Sequence, residues 1–169
     1  MRTPAHDPEP LAEAPPEEVR RAQAERLMKA WKPLKGWRYW SSVNNSVVGL
    51  WYTATSFAFF LFAGVLALLM RVQLAVPGND FLTSGLYSQV FTLHGSVMMF
   101  LFAVPIFEAL SILLMPQMLG ARDLPFPRLS AYGFWSFIIG GVFVCGSIFF
   151  GAAPRGGWFM YPPLTTSYQ

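Results

Sequence analysis

Polar and apolar positions separate along this chain into two regimes. Through about residue 48 the sequence is polar and interrupted by proline; beyond it lie three long apolar runs with short polar breaks. The first run, GLWYTATSFAFFLFAGVLALLM, covers residues 49–70. At 1.5 Å per residue it makes about 33 Å of helix, enough to cross a hydrocarbon core of about 30 Å. The second covers about 88–115 and is long enough to span with tilt; Pro105 within it predicts a kink. The third covers about 130–151, where Gly140, Gly141 and Gly146 permit close helix contact. No run alternates with the period of a strand, so the pattern predicts an all-α integral membrane protein with three transmembrane helices. Residues 1–40 read as a leader and 41–169 as the membrane region. Within the leader, residues 1–18 are rich in Pro, Ala and Glu and read as a disordered tail. EEVRRAQAERLMKAWK (17–32) reads as a short surface helix ending before Pro33.

Composition excludes an ordinary soluble domain: 54% of residues are hydrophobic and only 12% are charged. Eight of the twelve Lys and Arg lie in residues 1–38. This describes a basic leader beside a bilayer, not a nucleic-acid surface. GWRYW (36–40) sets aromatics beside a cation, as expected where a chain meets the headgroup layer. Arg122 and Arg128 lie between the second and third runs, and the loop after the first carries only Asp80 beyond Arg71. The positive-inside rule therefore places the N-terminus and the 116–129 loop in the cytoplasm. The single cysteine, Cys145, permits no disulfide within the chain. The polar first 48 residues contain no secretory signal.

Ionisable groups inside a membrane are functional candidates. His94, in FTLHGSVMM, heads them: it either hydrogen-bonds a neighbouring helix or ligates a metal. No second His follows at i+4, so a self-contained zinc site is not expected. A haem needs one ligand from each side, and a small neighbour such as Gly95 lets a porphyrin approach. Arg71 ends the first run; it either snorkels to the interface or hydrogen-bonds a haem substituent. Glu108 follows His94 by fourteen residues, which on a regular helix is about 21 Å along and within about 40° of the same face. A carboxyl there serves either as an interhelical hydrogen bond or as a proton relay. Asp123, in GARDLPFPR, pairs with a neighbouring arginine or caps a turn. Trp158 and Tyr161, in GGWFMYPPL, read as interface aromatics.

The order of motifs adds a family. FTLHGSVMMF, then MLGARDLPFPRLSAYGFW, then GGWFMYPPL resembles subunit I of the haem–copper terminal oxidases, the cytochrome c oxidase type. The end of the first run, LLMRVQL with Pro77-Gly78 after it, also looks like that family. The resemblance covers roughly residues 47–165. It implies a twelve-helix bundle of which these spans are the first three, and so an N-terminal fragment of subunit I. It also implies a bacterial plasma-membrane location.

By this resemblance His94 is one axial ligand of the low-spin haem, expected to be haem a, and Arg71 touches a substituent of that haem. Asp123 matches the acid at the mouth of a proton-uptake route. The high-spin haem and copper B belong to helices of the complete subunit. The implied activity is reduction of O2 to water with electrons from cytochrome c, coupled to proton translocation. The implied partners are the remaining helices of subunit I, subunits II and III, cytochrome c and the bilayer, with no nucleic acid. The fragment alone is not expected to be active. A quinol-oxidising relative and a haem-free membrane scaffold or transporter element are the alternatives. The sequence departs from the family at Asn44-Asn45-Ser46, where DHK is frequent, and at Gln73, where Glu is usual. Ser130 and Ala131 replace an asparagine pair, and the asparagine of the preceding GGFGN stretch is lost. Glu108 enters where that motif disappears, which makes it a candidate replacement carboxyl on the proton route.

Overall fold

The computed structural model describes residues 15–32 and 35–167. The tail expected to be disordered lies outside the described residues through position 14, as does His6. The chain divides into two compact units, one through Tyr39 and one from Trp40 onward. In the first, α1 (Glu17–Trp31) carries Glu17 and Glu18 in its first turn and Lys29 in its last, which complements the helix dipole. Arg21 reaches back one turn to Glu17 at 2.8 Å.

The second unit contains three helical spans long and apolar enough to cross a membrane: Asn45–Gln73, Ser84–Met118 and Pro127–Phe150. The first is α2 (Asn45–Gln73). It begins ahead of its apolar run because Asn44 caps it, the side chain accepting the Ser46 amide at 2.9 Å. The second span comprises α3 (Ser84–Ser96), a π-helical turn (Val97–Ala103) and α4 (Val104–Met118). Thr83 caps its start through the Leu86 amide. The π-helical turn ends just before Pro105. A proline ring clashes with the carbonyl four residues earlier, and a wider turn there relieves that clash. The third span is α5 (Pro127–Gly146), opened by proline at its first position and continued by a 3-10 turn, Ser147–Phe150. A short α6 (Leu164–Ser167) follows.

The loop between α2 and α3 is tied to α2. Gln73 donates to the Asn79 carbonyl and accepts the Leu82 amide at 2.6 Å, while Asn79 donates to the Val72 carbonyl at 2.8 Å. Gly78 turns this loop at φ +71°, a conformation that disfavours side chains.

The core between the spans is apolar. Phe59, Ala63, Val97 and Cys145 form one buried cluster, and Leu66, Val90, Leu93 and Ala153 form a second. Below them lies an aromatic layer: Trp51 and Tyr52 each pack on Phe134 with centroids 5.3 Å apart. Of the adjacent glycines in α5, Gly141 makes the close approach, its backbone lying against the Phe59 ring, while Gly140 has open space. The faces pointing away from this core remain apolar and exposed, among them Phe57, Leu61, Leu68, Phe107, Ile139 and Phe143. That arrangement suits lipid or further helices as surroundings.

Candidate functional site

His94 lies near the end of α3, half-buried against α2. Its imidazole Nδ1 is 2.9 Å from the Ala63 carbonyl oxygen. A carbonyl only accepts, so Nδ1 carries the hydrogen and donates it. Nε2 of the neutral ring keeps its lone pair, the form in which an imidazole binds a metal, with Nδ1 held by a partner outside the coordination sphere.

The segment after α5 is laced to the same helix. Gln89 donates to the Gly151 carbonyl at 2.9 Å. Thr92 is fully buried; its hydroxyl donates to the Ser88 carbonyl at 2.8 Å and accepts the Gly157 amide at 2.9 Å. Trp158 packs over Gly95, where an added Cβ would meet the indole at 3.3 Å. An indole expected at the interface thus also covers the residue following His94.

Arg71 is exposed at the same end of the bundle, eight residues beyond Ala63 on α2, about 12 Å along the axis. It forms no ion pair with the described residues. No group of three or more His, Cys, Asp or Glu able to hold a metal occurs among the described residues. A porphyrin iron requires no such cluster, so the donor set fits a haem held by His94 and a ligand from elsewhere.

The other two candidates lie toward the opposite end. Asp123 Oδ1 accepts the Asn45 amide at 3.1 Å, placing a carboxylate at the positive end of the α2 dipole. Asn45 is 2% exposed, and neither Nδ2 nor Oδ1 of its side chain has a hydrogen-bond partner among the described residues. Glu108, on α4, lies beside Tyr52 of α2. Both line an open cleft of about 430 Å³ that also reaches Leu124, Pro125, Ser130 and Gly133. The candidates thus divide by position along α2, His94 and Arg71 toward its end and Asp123 and Glu108 toward its start, with no direct contact between them among the described residues.

Sequence reasoning missed Tyr52, Asn45 and Ser56. Ser56 is fully buried with its hydroxyl unpartnered among the described residues. The available signal was periodicity: Asn45, Tyr52 and Ser56 fall within about 20° of one face of α2, polar groups in an apolar stripe. The Ala63 carbonyl has no sequence signal, since every residue carries one.

The family described as Cytochrome C and Quinol oxidase polypeptide I matches residues 47–169. A cytochrome c oxidase subunit 1 from Bacillus sp. (strain PS3) is 44% identical over 129 residues, which is 76% of this chain and 21% of that protein. The cytochrome c oxidase subunit 1 of Synechocystis sp. is 45% identical over 123 residues, 73% of this chain and 22% of that protein. A heme-copper oxidase subunit I+III from Aeropyrum pernix is 43% identical over 130 residues, 76% of this chain and 16% of that protein. The chain spans about a fifth of the length of these curated relatives. With its three apolar spans in an all-helical arrangement, the chain belongs to the cytochrome c and quinol oxidase polypeptide I family.

Proposed function

We propose that this chain forms one wall of the low-spin haem pocket, and a proton entry, in subunit I of a respiratory oxidase that reduces O2 to water. His94 would hold the iron through Nε2, and Arg71 would hydrogen-bond a substituent of the same haem, taken to be haem a. When bound, this haem supplies one-electron redox chemistry. His94 is held in its ligating tautomer by the Ala63 carbonyl, and Trp158 over Gly95 closes that side of the helix. The observation that carries the reading is the 2.9 Å contact between His94 Nδ1 and the Ala63 carbonyl.

Asp123, anchored on the Asn45 amide, stands at the proton mouth, and Glu108 receives protons beyond it in place of the missing asparagines. Loop charge supports a cytoplasmic side for this mouth, and the bacterial relatives support a bacterial plasma membrane. The rest of subunit I supplies the second ligand, the high-spin haem and copper B, with subunits II and III as neighbours. The donor is cytochrome c, in keeping with the names of the subunit 1 relatives; turnover by the complete oxidase with quinol but not with reduced cytochrome c would reassign it.

The test of the haem pocket is His94→Ala in the complete oxidase. Loss of the six-coordinate low-spin absorption is expected. A variant that retains that spectrum overturns the assignment, and the absence of any Soret band from the unmodified protein expressed with haem available would favour the haem-free scaffold.

A further inference from the structure

Every described side chain of α1 from Glu17 to Lys29 is exposed. At 15 residues, a helix is marginal in water unless one of its faces is covered. The sequence marks the face to cover. On a regular helix Val19, Ala24, Leu27 and Met28 fall in one half of the circumference, and Arg21, Glu25, Arg26 and Lys29 fall in the other. Of the cations in α1 only Arg20 shares the apolar half, and an arginine stem is long enough to carry its charge out of an apolar layer. Val19, Leu27 and Met28 are 44%, 53% and 74% exposed.

The neighbourhood of this face is set by the chain. α1 ends at Trp31 and the first span begins at Asn45, so the connection reaches about 50 Å at most and keeps α1 near the membrane surface. Trp37, in a 3-10 turn over Gly36–Ser41, is 89% exposed, and an indole favours the headgroup layer. Charge selects the kind of surface. Residues 17–38 hold seven Lys and Arg against three Glu, a net charge of +4. From Arg26 a cation recurs at every third position through Lys29, Lys32 and Lys35, across the end of the helix and into the connection. A series that continues where the helix stops is not matched to a partner helix or groove; a continuous layer of anionic headgroups accepts it whatever the backbone does. The family match begins only at residue 47, beyond all of these residues.

We propose that α1 and the connection after it form an interfacial anchor for anionic lipid. α1 lies in the plane of the membrane surface with Val19, Leu27 and Met28 among the acyl chains, and the cations from Arg26 to Lys35 hold phosphate headgroups around the entry of α2. This rests on the membrane spans and not on the haem or proton roles proposed above.

The experiment is amide hydrogen exchange over residues 17–32, with the full chain and the complete oxidase each in nanodiscs of phosphatidylcholine alone or of phosphatidylcholine with one-third phosphatidylglycerol. Exchange at Leu27 and Met28 is expected to be slower by about tenfold in the anionic discs, and high salt should remove most of the difference. Each cation near such a surface is worth about fivefold in partitioning. Lys29→Gln, Lys32→Gln and Lys35→Gln together should therefore abolish the dependence on phosphatidylglycerol, and Leu27→Gln should speed exchange in the anionic discs. All four side chains are exposed, so these variants leave the packing of the spans intact. Equal exchange in the two lipids overturns the proposal, as does a lipid dependence that survives the triple variant. Protection found in the complete oxidase but not in the full chain, whatever the lipid, also overturns it and puts a protein partner on this face.

Discussion

Two adjacent glycines in α5 give the sharpest test of the packing. A Cβ on Gly141 would stand 2.5 Å from Phe59 Cζ, 2.9 Å from Cε2 and 3.3 Å from Leu101 Cδ2, whereas one on Gly140 would meet nothing within 4 Å. Alanine at either position gains the same helix propensity, about 1 kcal/mol. Only at 141 must that gain be set against overpacking, which typically costs about 1–3 kcal/mol. Phe59 has little room to yield, because its ring is 8% exposed and sits edge-on to Phe137 at 5.7 Å. Gly141→Ala is therefore expected to be less stable than Gly140→Ala by about 1–3 kcal/mol, with Gly140→Ala at or slightly above the unmodified chain. The assay is unfolding of the chain in detergent micelles by increasing denaturing surfactant, followed by circular dichroism, with the three proteins compared in one micelle composition. Equal midpoints for the two variants would refute the close α2–α5 contact at Gly141, and with it the rotation assigned to α5.

Further substitutions probe local ties. Thr92→Val keeps the shape but strips the Gly157 amide of its acceptor. An unmade buried bond of this kind costs about 1–3 kcal/mol, so hydrogen exchange at Gly157 should accelerate; unchanged protection would mean that the segment after α5 is held by other contacts. Asn44→Ala removes the cap of α2 and should cost about 1 kcal/mol, with faster exchange at the Ser46 amide, whereas Asn44→Asp should retain most of the protection.

The three spans and the all-helical character were legible because apolar runs of this length have few other uses. Helix ends were less so. Asn44 and Thr83 start their helices ahead of the apolar stretches, since a cap is a polar residue and leaves no mark in hydropathy. Among candidate residues, His94 and Glu108 stood out as lone ionisable groups in apolar surroundings, but their partners did not. Ala63 contributes only a main-chain oxygen, and Tyr52 reads as one more aromatic in an aromatic-rich span. Choosing Gly141 over Gly140 required the rotation of α5 about its axis, which two consecutive glycines do not encode. The sequence predicts a kink at Pro105, and the structure answers that proline with a widened turn just upstream of it.

That widened turn also explains how the two candidate pairs coexist on one pair of antiparallel helices. On α2, Tyr52 and Ala63 are eleven residues apart, about 16 Å of regular helix. Their partners on the second span, Glu108 and His94, are fourteen residues apart, which a regular helix would stretch over about 21 Å. Two straight α-helices could match one contact only by pulling the other out of step by most of a turn. The turn at Val97–Ala103 lies between His94 and Glu108. Its hydrogen bonds close over five residues instead of four, so it takes up extra chain without equivalent height. It also breaks the constant angular step that would put His94 and Glu108 on one face, freeing each to meet α2 in its own register. Pro105, which makes the wide turn favourable, thus serves both contacts: the His94 imidazole against the Ala63 carbonyl and the Glu108 carboxyl beside Tyr52, on a helix whose regular geometry would allow one or the other.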